Sequence, residues 1–265
     1  MSRNALAYEW TRLLTLRSTW WIAAVAVAAT AVVTWGYASV TVGVGDLGLA
    51  VGSAEAVVMV IGRSSFAPLA AGLIGVLAVG AEYRHRTLRT TALVTPDRTA
   101  ALTAKAVTVA CFAIAIGAAG LAASWAVGAA TLAGRIDLAA PAGLLVGFHA
   151  AHLLQVAGWA LIGLAVTVAA RSQVIGLAVI VLVPNVVEPL FGSIGTLSGQ
   201  DWLARVGAYL PFSAGQAMTD IAGSTPALLA DGGARADPLL AGLVFAAVVA
   251  GLAAYAVADF RRQDL

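Results

Sequence analysis

The chain has 265 residues, of which 61% are hydrophobic and 11% are charged. Soluble globular domains carry about 25% charged residues, so this composition excludes one, and its hydrophobicity excludes a disordered chain. The formal net charge of +2 is too small for a nucleic-acid-binding surface, so we expect no nucleic-acid partner. The composition predicts an all-α integral membrane protein, because apolar runs of roughly 20 residues cross a bilayer as helices.

Six apolar stretches, each long enough to cross the bilayer core, follow one another in chain order. They cover residues 20–40, 62–81, 101–130, 142–169, 173–195 and 238–258. We therefore expect residues 1–265 to form a single transmembrane domain of six helices.

The basic residues fall mostly on one side of these stretches. If the N-terminus is cytoplasmic, eleven of them lie inside: Arg3, Arg12, Arg17, Arg84, Arg86, Arg89, Arg98, Lys105, Arg171, Arg261 and Arg262. Three lie outside: Arg135, Arg205 and Arg235. Inner loops are enriched in lysine and arginine, so the asymmetry predicts that both termini are cytoplasmic.

Residues 3–19, which precede the first span, have the pattern of an interfacial amphipathic helix. The apolar residues that recur at helical spacing are Leu6, Trp10, Leu13 and Leu14. Glu9 and Arg12 lie largely on the opposite face, so the helix is expected to lie on the inner leaflet. The alternative is a plain basic flank that only sets the topology.

The most charged segment is the loop of residues 82–98, between the second and third spans. This loop contains four arginines and His85, whereas the other inner loop has only Arg171. Thr95 and Pro96 favour the start of the third helix, as N-cap and first helical residue. Topology alone does not require so many arginines in one loop, so we expect a docking surface for a cytoplasmic partner.

Three runs of sequence resemble the ABC-2-type permeases of actinobacteria, which are the membrane subunits of ABC exporters. These runs are Glu9-Trp10-Thr11-Arg12-Leu13, Leu16-Arg17-Ser18-Thr19-Trp20-Trp21 and Gly80-Ala81-Glu82-Tyr83-Arg84-His85-Arg86-Thr87-Leu88-Arg89-Thr90-Thr91. The resemblance implies an efflux permease in a bacterial cytoplasmic membrane, formed by two copies or by one copy and a paralogue. It also implies that residues 82–98 carry a coupling helix docked on a separate cytoplasmic ATPase. The residues that would face this ATPase are Arg84, Arg86, Leu88 and Arg89.

The chain itself lacks a nucleotide site of the P-loop type. Its one lysine, Lys105, follows Ala104, whereas a P-loop requires Gly-Lys-Ser/Thr. We therefore expect no cofactor in this chain and expect the partner ATPase to bind ATP and Mg.

The outer segment of residues 196–237 is too long for a structureless loop. Trp202, Tyr209 and Phe212 could seat short helices at the outer interface. The family resemblance implies short re-entrant helices in this place.

Several polar residues lie at membrane depth, where they are expensive and point to function. They are His149, His152 and Gln155 in the fourth span, and Asn185 and Glu188 in the fifth. The depths of His149 and Glu188 match, so a pair between them is geometrically allowed. These residues would either line a translocation pathway or make interhelical polar contacts. A metal site is not expected, because the two histidines have no third or fourth ligand.

Small residues recur in two spans and predict tight helix packing there. They are Gly143, Gly147 and Ala151 in the fourth span, and Gly242, Ala246, Ala250, Ala254 and Ala258 in the sixth. No set of catalytic side chains stands out, so we do not expect an enzyme. The alternative to a permease is a non-transporting membrane anchor, immunity or regulatory module that binds a partner. The substrate of a permease is left open.

Overall fold

The computed structural model describes residues 3–46, 57, 60–61, 65–85, 98–135, 142–220 and 236–262, which are helical with short turns and contain no strand. The helices are α1 (Arg3–Thr15), α2 (Arg17–Asp46), α3 (Ala67–His85), α4 (Arg98–Leu132), α5 (Ala142–Ala170), α6 (Gln173–Leu182), α7 (Glu188–Leu197), α8 (Asp201–Ala208), α9 (Pro211–Ala217) and α10 (Pro238–Arg262). The predicted all-helical fold is confirmed for these residues.

Five helical stretches are long and apolar enough to cross a membrane, as in a multi-pass membrane protein. They are Arg17–Gly43, Thr99–Leu132, Leu145–Ala170, Gln173–Leu197 and Pro238–Arg262. The second predicted span corresponds largely to α3, which is not among the five and whose last turn carries Glu82, Arg84 and His85. The count of six spans and the cytoplasmic placement of both termini stay predictions.

Helix α3 lies at the centre of the bundle, where it contacts α2, α4, α5 and α6. Its closest neighbour is α5. A Cβ on Gly75 would lie 2.0 Å from the carbonyl oxygen of Ala160, and one on Gly163 would lie 2.3 Å from that of Gly72. The two backbones are therefore in contact, which only small residues at these positions permit.

Most residues of the small-residue stripes predicted in the fourth and sixth spans are exposed and do not pack against another helix of the described chain. A Cβ on Gly143 or Gly147 would meet no other part of the described chain within 4 Å. Ala246 and Ala250 are exposed, whereas the core face of α10 carries Phe245. Glycine and alanine are so common here that spacing alone does not reveal which face is buried.

A helix precedes the first span as predicted, although α1 ends at Thr15 instead of residue 19, and its position on the inner leaflet stays a prediction. Its predicted apolar face is divided. Leu13 is buried against the bundle, whereas Trp10 and Leu14 are exposed. Glu9, predicted to lie opposite the apolar face, is also buried. It is buried because its carboxylate pairs with Lys105 of another helix.

The fifth predicted span is interrupted by a π-helical turn at Val183–Val187, between α6 and α7. Pro184 cannot donate a backbone hydrogen bond, so regular α-helical bonding cannot continue through it. The side-chain amide of Asn185 donates to the carbonyl oxygen of Val181 at 2.8 Å. This bond satisfies a backbone acceptor at the turn, which membrane-spanning helices with prolines require.

Candidate functional site

Four charged side chains from three helices meet at one buried point. The ammonium of Lys105 in α4 lies 2.5 Å from Oε1 of Glu9 in α1 and 2.6 Å from Oε1 of Glu82 in α3. Arg12 in α1 pairs with both acids, at 3.4 Å from Oε2 of Glu9 and in contact with Oε1 of Glu82. We call these four residues the charge cluster. Its two acids and two bases balance formally.

Three members of the charge cluster are almost fully removed from solvent. The exposed fraction is 4% for Glu9, 4% for Glu82 and 3% for Lys105. Such charges are stable only when each has an opposite partner, because desolvation of a lone buried charge costs several kcal/mol. The cluster therefore depends on all three helices being in place.

The charge cluster binds α1 to both flanks of residues 86–97, which we call the arginine-rich segment. Glu82 lies in the last turn of α3, which ends at His85, and α4 resumes at Arg98. Lys105 follows about two turns later. Residues 86–97 connect these two helices along the chain, so the cluster contacts α1 from both sides of this segment.

One carboxylate oxygen of the charge cluster has no hydrogen-bond partner in the described part of the chain. Oε2 of Glu82 is buried and accepts no hydrogen bond from any described residue, although Oε1 of the same carboxylate binds both Lys105 and Arg12. Buried polar atoms are rarely left in this state. Oε2 of Glu82 can therefore accept a further hydrogen bond.

Sequence reasoning missed the charge cluster. From the sequence, Lys105 contributes only to the count of inner basic residues and to the exclusion of a P-loop. Glu9 is predicted to lie on the polar face of its helix. A signal was present, because charges inside or beside apolar runs occur mostly as pairs. The separations of Glu9 and Glu82 from Lys105 along the chain, 96 and 23 residues, leave the pairing invisible without the tertiary fold.

The predicted ATPase-facing residues are only partly described. Arg84 lies in the last turn of α3 with its side chain exposed, which fits a docking role. Arg86, Leu88 and Arg89, and the predicted helix start at Thr95 and Pro96, lie outside the described residues.

Glu188 does not pair with His149. Its carboxylate accepts from the backbone N–H of Phe212 at 2.9 Å, and from the backbone N–H and hydroxyl of Ser213 at 2.5 and 2.7 Å. These groups belong to the first turn of α9, where helical N–H groups lack intrahelical partners. Glu188 is thus an N-terminal cap supplied by a neighbouring helix, and it is only 3% exposed.

The histidines of α5 are held by aromatic neighbours. The indole N–H of Trp125 donates to Nε2 of His149 at 2.9 Å. The buried ring of His152 stacks on Phe148 with 5.9 Å between ring centroids, and its Nε2 has no hydrogen-bond partner among the described residues. Gln155 is also buried, about one turn further along the same helix. His149, His152 and Gln155 thus lie together on α5, whereas the groups that bind Glu188 lie on α9.

The segment predicted to lie outside, residues 196–237, contains two short helices, α8 and α9. Phe212 is buried in α9 against the ring of Trp159, at 4.5 Å between centroids. Trp202 is exposed on α8, as an interfacial aromatic residue would be. Residues 221–235 of the predicted outer segment lie outside the described residues.

Within the described part of the chain, no group of three or more His, Cys, Asp or Glu side chains could hold a metal ion. No protein-family model matches the chain, and no curated protein matches it. The resemblance to ABC-2-type permeases therefore stays a prediction that depends on the residues quoted for it.

Proposed function

We propose that this chain is the permease subunit of an ATP-driven ABC exporter in a bacterial cytoplasmic membrane. Two copies, or one copy and a paralogue, would form the translocation pathway. A separate cytoplasmic ATPase would bind ATP and Mg and dock on residues 82–98. Closure of the ATPase pair would displace this segment, and the spans would rearrange to release cargo outward.

The observation that carries the proposal is the connection between the arginine-rich segment and α1. A loop that only set topology would need no buried link to an interfacial helix. Here the two flanks of the segment both bind α1, because Lys105 pairs with Glu9 and Glu82 pairs with Arg12. This arrangement suits a chain that receives motion from a partner at its inner surface.

The test is co-purification with an ATPase encoded beside this chain. We expect the wild-type chain to retain the ATPase and to stimulate its ATP hydrolysis in proteoliposomes. Reversing the charge of Arg84, Arg86 and Arg89 to glutamate should abolish both. The control variant Arg205→Glu/Arg235→Glu alters two arginines on the predicted outer side and should retain both.

The opposite results would overturn the proposal. A charge-reversed chain that still binds and stimulates the ATPase removes the docking role. A wild-type chain that has no ATPase partner, or works fully alone in liposomes, removes the exporter. The non-transporting anchor would be favoured if alanine at His149, His152 and Glu188 preserved both folding and function.

A further inference from the structure

We propose that the charge cluster is a joint, by which we mean that its ion pairs stay formed throughout the ATPase cycle. Helix α1 would then move together with both flanks of residues 86–97. Glu9, Arg12, Glu82 and Lys105 would then be positioning residues for coupling. This inference rests on the proposed function and identifies the groups inside the permease that receive the movement.

The chemistry of the cluster favours closure. Helix α1 supplies one acid and one base, and each of them contacts a charge on another helix. If α1 separated from the bundle, Lys105 would lose Glu9, and Glu82 would lose Arg12. The pairs Glu9–Arg12 and Glu82–Lys105 would remain, but both ion pairs that join α1 to the other two helices would be lost. Movement of α1 as a unit with α3 and α4 avoids this cost.

The second carboxylate oxygen of Glu82 explains how the ion pairs could stay formed when the helices rotate against one another. Both bases contact Oε1 of Glu82, while Oε2 has no partner among the residues that the structure describes. A turn of the carboxylate about its last side-chain bond would present Oε2 to Lys105 in place of Oε1. Small rotations of α3 against α4 would therefore preserve the ion pair that joins them.

Lys105 provides a direct test, because it is the one lysine of the chain. A water-soluble amine-reactive ester can modify only Lys105 and the terminal α-amino group, and peptide mass mapping separates the two. In the wild-type complex with its ATPase we expect Lys105 to react at least about tenfold more slowly than in the denatured chain, since a protected group reacts only through rare opening. This protection should be the same without nucleotide, with ATP bound and after hydrolysis.

A second test removes the link between α1 and α4 without leaving an unpaired charge. The variant Glu9→Gln/Lys105→Met keeps Glu82 and Arg12 as a balanced pair. It should fold and bind the ATPase, yet stimulate ATP hydrolysis about tenfold less, which is within the usual range of coupling factors. The matched control is Arg171→Gln/Asp259→Asn, which removes an ion pair of 3.2 Å that involves neither α1 nor the arginine-rich segment, and it should stimulate normally.

Each outcome decides the inference. Reaction of Lys105 in any nucleotide state at the rate of the denatured chain overturns the closed joint, and normal stimulation by Glu9→Gln/Lys105→Met overturns the role of the Glu9–Lys105 pair in coupling. A merely structural role would lower ATPase binding and stimulation together, in proportion to the folded fraction. The labelling experiment uses the wild-type chain and decides the matter even if the variant does not fold. If the wild-type chain binds no ATPase, the proposed function fails first, and this inference fails with it.

Discussion

Replacing Glu188 by glutamine is expected to loosen the short helix α9 while leaving the rest of the bundle folded. Leu210, which precedes this helix, makes no side-chain cap. The first-turn groups of Phe212 and Ser213 therefore depend on the carboxylate of Glu188. Glutamine keeps one acceptor oxygen but loses the charge and places an amide N–H₂ where the second oxygen accepted hydrogen bonds.

The magnitude follows from the hydrogen bonds that are lost. A hydrogen bond to a charged group contributes ~1.5–3 kcal/mol, and two of the three bonds go to the oxygen that glutamine replaces. We expect α9 to open more easily by about 3 kcal/mol, allowing for reorientation of the Ser213 hydroxyl. Because 1.36 kcal/mol corresponds to a factor of ten, the backbone amides of Phe212 and Ser213 should exchange hydrogen roughly 100-fold faster.

The assay is hydrogen exchange of the folded protein in detergent, followed by mass spectrometry of peptides that cover α9. The control variant is Ser172→Ala, which removes the N-cap of α6, where the Ser172 hydroxyl accepts from Ile175 at 3.4 Å. It should leave exchange in α9 unchanged. If glutamine at position 188 also leaves this exchange unchanged, the capping role is wrong. A change in transport alone would instead favour the pathway-lining role predicted from the sequence.

Two further predictions concern stability, measured as the free energy of unfolding in the same detergent. Lys105→Met should lower the free energy of unfolding by about 3–5 kcal/mol because it leaves an unpaired buried acid. Glu9→Gln/Lys105→Met should recover a large part of this loss. Equal losses in the two variants would contradict charge balance as the cause. Gly75→Val should destabilise by about 3 kcal/mol or more, since its Cβ would lie 2.0 Å from the carbonyl oxygen of Ala160. Gly147→Val has open space and should change the stability by less than ~0.5 kcal/mol, so a similar loss at both glycines would refute the packing argument.

The positions of the helices could be predicted from the sequence, because apolar runs of membrane length have few alternatives. The predicted run of residues 101–130 is extended only slightly in α4 (Arg98–Leu132), and residues 173–195 become the stretch Gln173–Leu197. The short outer helices were also predictable, since an ordered segment of that length needs structure of its own.

The orientation of each helix about its own axis could not be predicted in the same way. Depth along a helix follows from counting residues, so Glu188 and His149 were correctly recognised as polar groups inside apolar runs. Which neighbour each group meets depends on the facing helix. Glu188 binds α9, and His149 binds Trp125 of α4. In a chain where nearly every face is apolar, periodicity does not distinguish the core face from the lipid face.

The choice of lysine at position 105 follows from the geometry of the charge cluster. Every other basic residue outside the histidines is an arginine, whose planar guanidinium suits one carboxylate bound through two parallel hydrogen bonds. The group at this position must instead meet two carboxylates that arrive from different helices, at 2.5 and 2.6 Å. An ammonium is a compact charge with three donors that can point in separate directions. Lysine therefore fits between α1 and α3 where arginine would favour one acid over the other, and the position of the single lysine marks the point where three helices are held together.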